Sequence, residues 1–184
     1  DLDAVLIDTI HGDKMEYSIA VDDVHQWELH NVYGTPTELM EIVFAKYPQA
    51  RQVQYMSACL RGVFRTLSQD VNQWIKLYVL PSCFNLVVLK GEQLQIAKSF
   101  YYETPEDIIY HLLNVVDKHG LDVSEVLVEV SGLLDSSSTT WKELNKYFLN
   151  ISMENYPGVS GWNANNADLP SHYFTPFLLV PRCV

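Results

Sequence analysis

Along the second half of the chain the apolar positions switch repeatedly between period two and a helical repeat. "WIKLYVL" (Trp74 to Leu80) alternates apolar and polar residues at first and predicts a strand. "CFNLVVLKG" (Cys83 to Gly91) is an apolar run ending in Lys-Gly, and "EQLQIAKSFYY" (Glu92 to Tyr102) alternates at Leu94 and Ile96. The connectors, Pro81-Ser82 and Lys90-Gly91-Glu92, are as short as antiparallel hairpins require. The pattern then becomes helical. Thr104 suits an N-cap and Pro105 the first helical position, where a missing N–H costs nothing. Glu106 and Asp107 place negative charge at the positive end of the helix dipole. Ile108, Leu112, Val115 and Val116 form an apolar stripe, widened by Ile109 and Leu113. Lys118 and His119 fall in the last turn, and Gly120 supplies the left-handed residue that ends many helices. "EVLVEVSG" (Glu125 to Gly132) is rich in valine and suits a buried strand. "DSSSTT" is a polar turn, "TWKELNKYF" a helix, and "NISMENY" (Asn150 to Tyr156) a last strand before Pro157-Gly158. The predicted order is strand, strand, strand, helix, strand, helix, strand.

The first part of the chain is less regular. "AVLIDTI" and "MEYSIAVD" read as strands joined by a tight turn at "HGDK". "YGTPTELMEIVFAKYP" reads as a helix with Thr35 as N-cap, Pro36 at N1 and Glu38 completing a capping box. Its stripe is Leu39, Met40, Val43, Phe44 and Tyr47. "RQVQYMS" predicts a short strand, and "ACLRGVFRTLSQD" a helix crossing into the second part. The likeness of "YGTP" to "YETP" marks either an internal repeat or the fact that Thr-Pro starts helices well. The tail loosens at Gly158, Gly161 and an Asn run, then turns apolar at Tyr173, Phe174, Phe177, Leu178, Leu179 and Val180. It predicts a closing helix from Ser171 packed on the second part, or an exposed aromatic arm.

Composition narrows the function classes. The chain has 184 residues, enough for one domain or two small lobes. Its 48% hydrophobic and 19% charged residues are those of a globular protein. A net charge of −11 argues against nucleic-acid phosphates and anionic membranes as default partners, since both need clustered Lys and Arg. No apolar run approaches the roughly 18 residues of a membrane span. The opening at Asp1, with no basic-then-apolar leader, predicts a fragment or processed product without a secretory signal. Cys59, Cys83 and Cys183 lie far apart with no C-x-x-C spacing, which predicts free thiols and a cytoplasmic location.

The strand-helix order is that of the ribonuclease-H-like unit, which is also each lobe of the actin-like ATPases. "SFYYETPEDIIYHLLNVVDKHGLD" followed by a strand, with "KYF" before the last strand, resembles an uncharacterised bacterial domain-of-unknown-function family similar to the actin-like ATPase fold. The resemblance runs from about Met15 to Phe174 and is strongest from Trp74 to Tyr156. It implies an α/β fold with a mixed sheet. Residues 1–70 would be a partial first lobe, and residues 71–184 a ribonuclease-H-like second lobe with a C-terminal tail.

That resemblance brings an ATPase expectation, which can be set against the residues. Such enzymes carry an Asp-x-Gly-Thr/Ser turn in the first hairpin of each lobe, for Mg²⁺ and phosphate. Here the second-lobe hairpin reads "VLPSCFNLVV", with no acid and no glycine, and Pro81 removes a donor. "IDTIHGD" offers Asp8 and Gly12 at the wrong spacing. "VEVSGLLDSSSTTW" keeps one glycine where the adenosine-side motif pairs two, so Ser131 and Gly132 are the candidate contacts only if nucleotide binds. A ribonuclease-H-type nuclease needs carboxylates on its first and fourth strands, and Trp74 to Leu80 has none.

The remaining constellations are read as structural. Asp22, Asp23, His25, Glu28 and His30 match no ligand spacing and predict a solvated acidic loop. His111 predicts a core-edge histidine, and Ser136 to Thr140 a loop and helix cap without G-x-S-x-G. The expectation is a non-catalytic scaffold or protein-interaction module on a degenerate actin-like fold. It has no catalytic residues, no metal and no cofactor, and a protein partner or homodimer. The alternative is a nucleotide-binding or ATP-hydrolysing protein whose phosphate motifs lie outside this chain. The early strands predict a lobe short of neighbours, which needs a cover along its edge.

Overall fold

The computed structural model describes residues 16–66, 70–154 and 170–179. The first part opens on a hairpin. Strand β1 (Tyr17–Val24) pairs antiparallel with β2 (Leu29–Pro36) around a 3₁₀ turn at His25–Trp27, closed by Glu28 in the left-handed region. Helix α1 (Thr37–Lys46) and helix α2 (Tyr55–Thr66) follow. The second part is a five-stranded sheet: β3 (Gln73–Val79), β4 (Cys83–Lys90), β5 (Gln93–Tyr101), β6 (Leu127–Gly132) and β7 (Asn150–Met153). Its spatial order is β5-β4-β3-β6-β7, with β3, β4 and β5 antiparallel and β6 and β7 parallel to β3. Helices α3 (Pro105–Lys118) and α4 (Thr139–Tyr147) make the two crossovers. The tail adds a 3₁₀ turn, Ser171–Tyr173, and a short helix α5 (Thr175–Leu178).

Alternation on β3 divides the lobe. Ile75, Leu77 and Val79 face a dry layer with Phe84, Leu86 and Val88 of β4, Val128 and Val130 of β6, and the stripe of α3. Trp74 and Tyr78 face the opposite layer, where α2 brings Met56, Ala58, Cys59, Leu60 and Val63. Both sheet faces are therefore covered, which is why β3 and β4 are buried almost throughout. Each fully buried large side chain contributes roughly 1.5–3 kcal/mol, so the two layers together hold the sheet.

The α3 punctuation behaves as its residues dictate. The Asp107 carboxylate accepts from the Glu103 and Thr104 N–H groups, both at 2.9 Å, and is held below the usual carboxylate range by those bonds. Gly120 has φ +58°, and Leu121 N–H closes back on the Val116 carbonyl at 2.9 Å.

Three sequence expectations are corrected. Thr35 caps no helix: Tyr33 to Pro36 continue β2, and α1 starts at Thr37 with Pro36 as an N-cap lacking a side-chain bond. The Thr35 hydroxyl instead accepts from Gln52 Nε2 at 2.7 Å. "RQVQYMS" is not a strand, because Gln54 starts α2: its side-chain carbonyl accepts from the Met56 N–H. The tail forms a 3₁₀ turn and one helical turn rather than a helix from Ser171. It still packs on the second lobe, with Leu179 buried beside Gly62 on α2 and His172 Nε2–H donating to the Leu134 carbonyl at 2.9 Å. "AVLIDTI", "HGDK" and Tyr156 lie outside the described residues.

Gly132 ends β6 at φ +89°, and a Cβ there would sit 2.1 Å from the Val79 carbonyl oxygen. Neither the dihedral nor the backbone contact can relax around a methyl group. Gly132→Ala is expected to destabilise the fold by about 2 kcal/mol or more. Urea denaturation measures this, and an unchanged midpoint would contradict the packing described.

Candidate functional site

The strongest concentration of polar chemistry lies inside the α2-facing layer. Lys76 is on the central strand, two residues from Trp74 and from Tyr78, so alternation turns it into that layer rather than into water. It is 2% exposed. In register it lies opposite Glu129 of β6. Glu154 follows β7, whose alignment is fixed by its N–H on the Val130 carbonyl at 2.8 Å. Lys76 Nζ donates to Glu154 Oε1 at 2.8 Å and meets Glu129 Oε2, also at 2.8 Å, outside hydrogen-bond geometry. The same ammonium lies 4.6 Å from the centroid of the Trp74 ring.

Two carboxylates thus share one ammonium, leaving the formal charge of the cluster at −1. Glu154 Oε2, Ser131 Oγ and Trp74 Nε1 are buried nearby in the same layer without a hydrogen-bond partner. The phenols above them feel this environment. Burial first, then Cys59 and Glu154, pushes Tyr55 and Tyr78 far above the ordinary tyrosine value. A second polar row crosses the sheet one pair further along: Ser99, Asn85, Tyr78 and Ser131. Within it the Ser99 hydroxyl donates to the Asn85 side-chain carbonyl. The first strand therefore has no carboxylate, and its central inward side chain is a lysine that already fills the space between two acids.

The β3–β4 turn is the second place of interest. Leu80 N–H donates to the Cys83 carbonyl at 2.9 Å, closing Pro81-Ser82 into a tight turn. Tyr102 clasps it from the β5–α3 corner: its hydroxyl donates to the Leu80 carbonyl at 2.7 Å and its N–H to the Ser82 carbonyl at 3.2 Å. The turn is tied to its own chain. Of the two candidate nucleotide contacts, Ser131 is buried on the α2 side and Gly132 is pressed against Val79. The Leu133 N–H continues that contact, donating to the Val79 carbonyl at 2.9 Å.

The acidic run near the hairpin separates into different environments. Asp22 is buried, accepting from Tyr33 Oη at 3.2 Å and from the Gln54 N–H at 2.8 Å. Asp23 and His30 form an exposed cross-strand contact at 3.8 Å. The run is a hairpin with one structural acid, not a solvated loop. No group of three His, Cys, Asp or Glu side chains among the described residues could hold a metal ion. His111 stacks at the core edge, with its ring 4.6 Å from that of Phe100. Cys59 and Cys83 form no disulfide among the described residues, and Cys183 lies outside them. Ser138 caps α4, accepting from the Trp141 N–H at 3.1 Å. Sequence reasoning missed the Lys76 cluster. Its one signal was a lysine inside an otherwise apolar strand.

A three-stranded meander followed by two parallel crossover strands defines the ribonuclease-H-like lobe of the actin-like ATPase fold. A crystal structure from Bacteroides thetaiotaomicron of a protein with actin-like ATPase fold and unknown function matches with a TM-score of 0.72 and 21% identity. The match covers 83% of this chain and 59% of that chain, so this chain spans about three fifths of its neighbour's length. The chain belongs to the family described as protein of unknown function (DUF3822), which matches residues 6–151. Two further structures are only weakly similar. One is described as an archaeal protein: TM-score 0.27, 15% identity, 66% of this chain and 40% of that one. The other is the Pelota protein of Thermoplasma acidophilum: TM-score 0.32, 9% identity, 94% of this chain and 56% of that one. No curated protein matches the chain. No helix among the described residues is long and apolar enough to cross a membrane.

The phenols give a test of this layer. Tyr33 is pushed up to about 12 by burial and by Asp22, and Tyr55 and Tyr78 go further. A raised folded pKa means that the native state holds the proton more tightly than the unfolded chain, where tyrosine ionises near pH 10. Stability is then fully present below about pH 10 and lost as pH rises above it. Of the 11 tyrosines, a distinct class is expected to ionise only together with loss of circular dichroism. Uniform titration near the ordinary value in an intact fold would contradict it.

Proposed function

We propose that this chain is a non-catalytic interaction module on a degenerate actin-like fold, cytoplasmic in keeping with scattered cysteines that lack C-x-x-C spacing. The observation that carries the reading is an apolar surface on the first part that is exposed among the described residues. Helix α1 has no buried residue, and Leu39 and Ile42 are 52% and 68% exposed. Phe44 on the same helix and Tyr47 just past its end are exposed, as are Tyr17 and Val21 on β1. A helix this apolar is normally packed on one side. Exposed apolar surface of this kind marks a protein-docking site. The partner is a second copy or another protein, and residues 1–70 form the partial lobe that presents this surface.

The absence of catalysis rests on the β3–β4 turn. A phosphate turn offers free backbone N–H groups. This one has Pro81, which has none to offer, and a Leu80 N–H already donated to the Cys83 carbonyl. Asp-x-Gly-Thr/Ser is absent from it, so nothing there recruits a magnesium ion for phosphoryl transfer.

Light scattering after gel filtration tests the docking surface. The chain, alone at high concentration or mixed with its partner, is expected to run as an assembly that Ile42→Asp disperses without changing circular dichroism. A strict monomer that binds no protein would overturn the reading. Calorimetric titration with magnesium-ATP is expected to give no heat of binding, and micromolar affinity would favour the nucleotide-binding alternative.

A further inference from the structure

We propose that the free edge of β5, together with the cleft between β5 and α3, binds an extended acidic peptide segment of a protein partner by strand addition. β5 spans nine residues and is hydrogen-bonded only to β4 among the described residues. Its register with β4 runs without a shift from Ile96 to Tyr101, so the outer row of backbone groups is regular over that stretch. Edges of this length are usually blunted by proline, bulges or several charges. Here the regular stretch has no proline, and its one charged side chain is Lys98.

The cleft beside this edge has a volume of about 300 Å³. Ile96 and Phe100 of β5 and Val115 of α3 give it an apolar floor. Lys98 and Lys118 stand at its sides, with His111 and His119, and no carboxylate lines it. Asp107, one turn before His111 on α3, is committed to the Glu103 and Thr104 N–H groups. Lys98 lies over the Phe100 ring at 5.1 Å, which holds its charge above the floor. Tyr110, 64% exposed, closes one end.

The sign of the charge chooses the occupant. This is a cationic cleft on a chain of net charge −11. The outer row of β5 backbone N–H and C=O groups can be paired by a peptide and not by a polyphosphate strand, and the two lysines beside it select acidic side chains. A second copy of β5 is a poor match, because pairing two such edges brings the Lys98 side chains of both copies to one interface. Strand addition supplies affinity through backbone bonds and reads alternate side chains, here acidic ones.

Fluorescence anisotropy with a labelled synthetic peptide alternating glutamate and valine tests this on the whole chain. The peptide is expected to bind, and its lysine-for-glutamate counterpart is not. Lys98→Glu with Lys118→Glu is expected to weaken binding about tenfold or more, as is high salt. Backbone N-methylation of the peptide at alternate residues leaves its charge intact and is expected to abolish binding. Hydrogen exchange is expected to slow across Gln93–Tyr101 in the complex. No binding at millimolar peptide, equal binding of the lysine peptide, or binding indifferent to N-methylation would each overturn the proposal. Because α1 and β1 are not involved, failure here leaves the first-part docking surface unaffected.

Discussion

One ammonium group, Lys76 Nζ, sets the terms on which the α2-facing layer can exist. A charge on the central strand of a fully covered sheet is costly unless opposite charge meets it inside the protein. Glu129 meets it from β6 and Glu154 from the end of β7, and the Trp74 ring lies against it. These partners arrive only when both crossovers have placed β6 and β7 parallel to β3. The cluster is thus satisfied only by the finished strand order. It favours this topology less through net stability than through the penalty on any arrangement that leaves the lysine buried alone.

The two faces of the sheet are unlike for this reason. The α3 and α4 side is an apolar layer whose stability follows from area. The α2 side mixes aromatic packing with two polar rows, and its cover comes from distant parts of the chain. The β1–β2 hairpin bonds to α2 through Asp22, Asn31 and Trp27, while Leu179 of the tail packs against Gly62. The hairpin also packs Val24, Trp27 and Leu29 into the α2-facing layer, whereas α1 buries none of its side chains.

The second lobe was legible because its signals are local. Thr104, Pro105 and Gly120 punctuate α3 within the chain, and Pro81-Ser82 and Gly91-Glu92 fix two hairpins. Errors arose where a distant partner decides. Tyr33 to Pro36 carry a helix-start signature, yet pairing with Tyr17 to Ala20 holds them extended. "RQVQYMS" has strand-like residues, but Gln54 spends its side chain starting α2. Lys76 reads as the solvent-facing polar position of an alternating strand. Only the presence of α2 across that face makes it internal, and the sequence of β3 signals this only by being otherwise apolar.

Comparing one substitution with three tests the central role of Lys76 most directly. Lys76→Met alone leaves the buried Glu154 and the partly buried Glu129 carboxylates without their cation and is expected to cost about 3–5 kcal/mol. Lys76→Met with Glu129→Leu and Glu154→Leu removes every charge of the cluster and is expected to recover most of that loss or exceed the parent. Chemical denaturation of the three proteins reads both numbers. A single variant as stable as the parent, or a triple variant no better than the single one, would contradict the account.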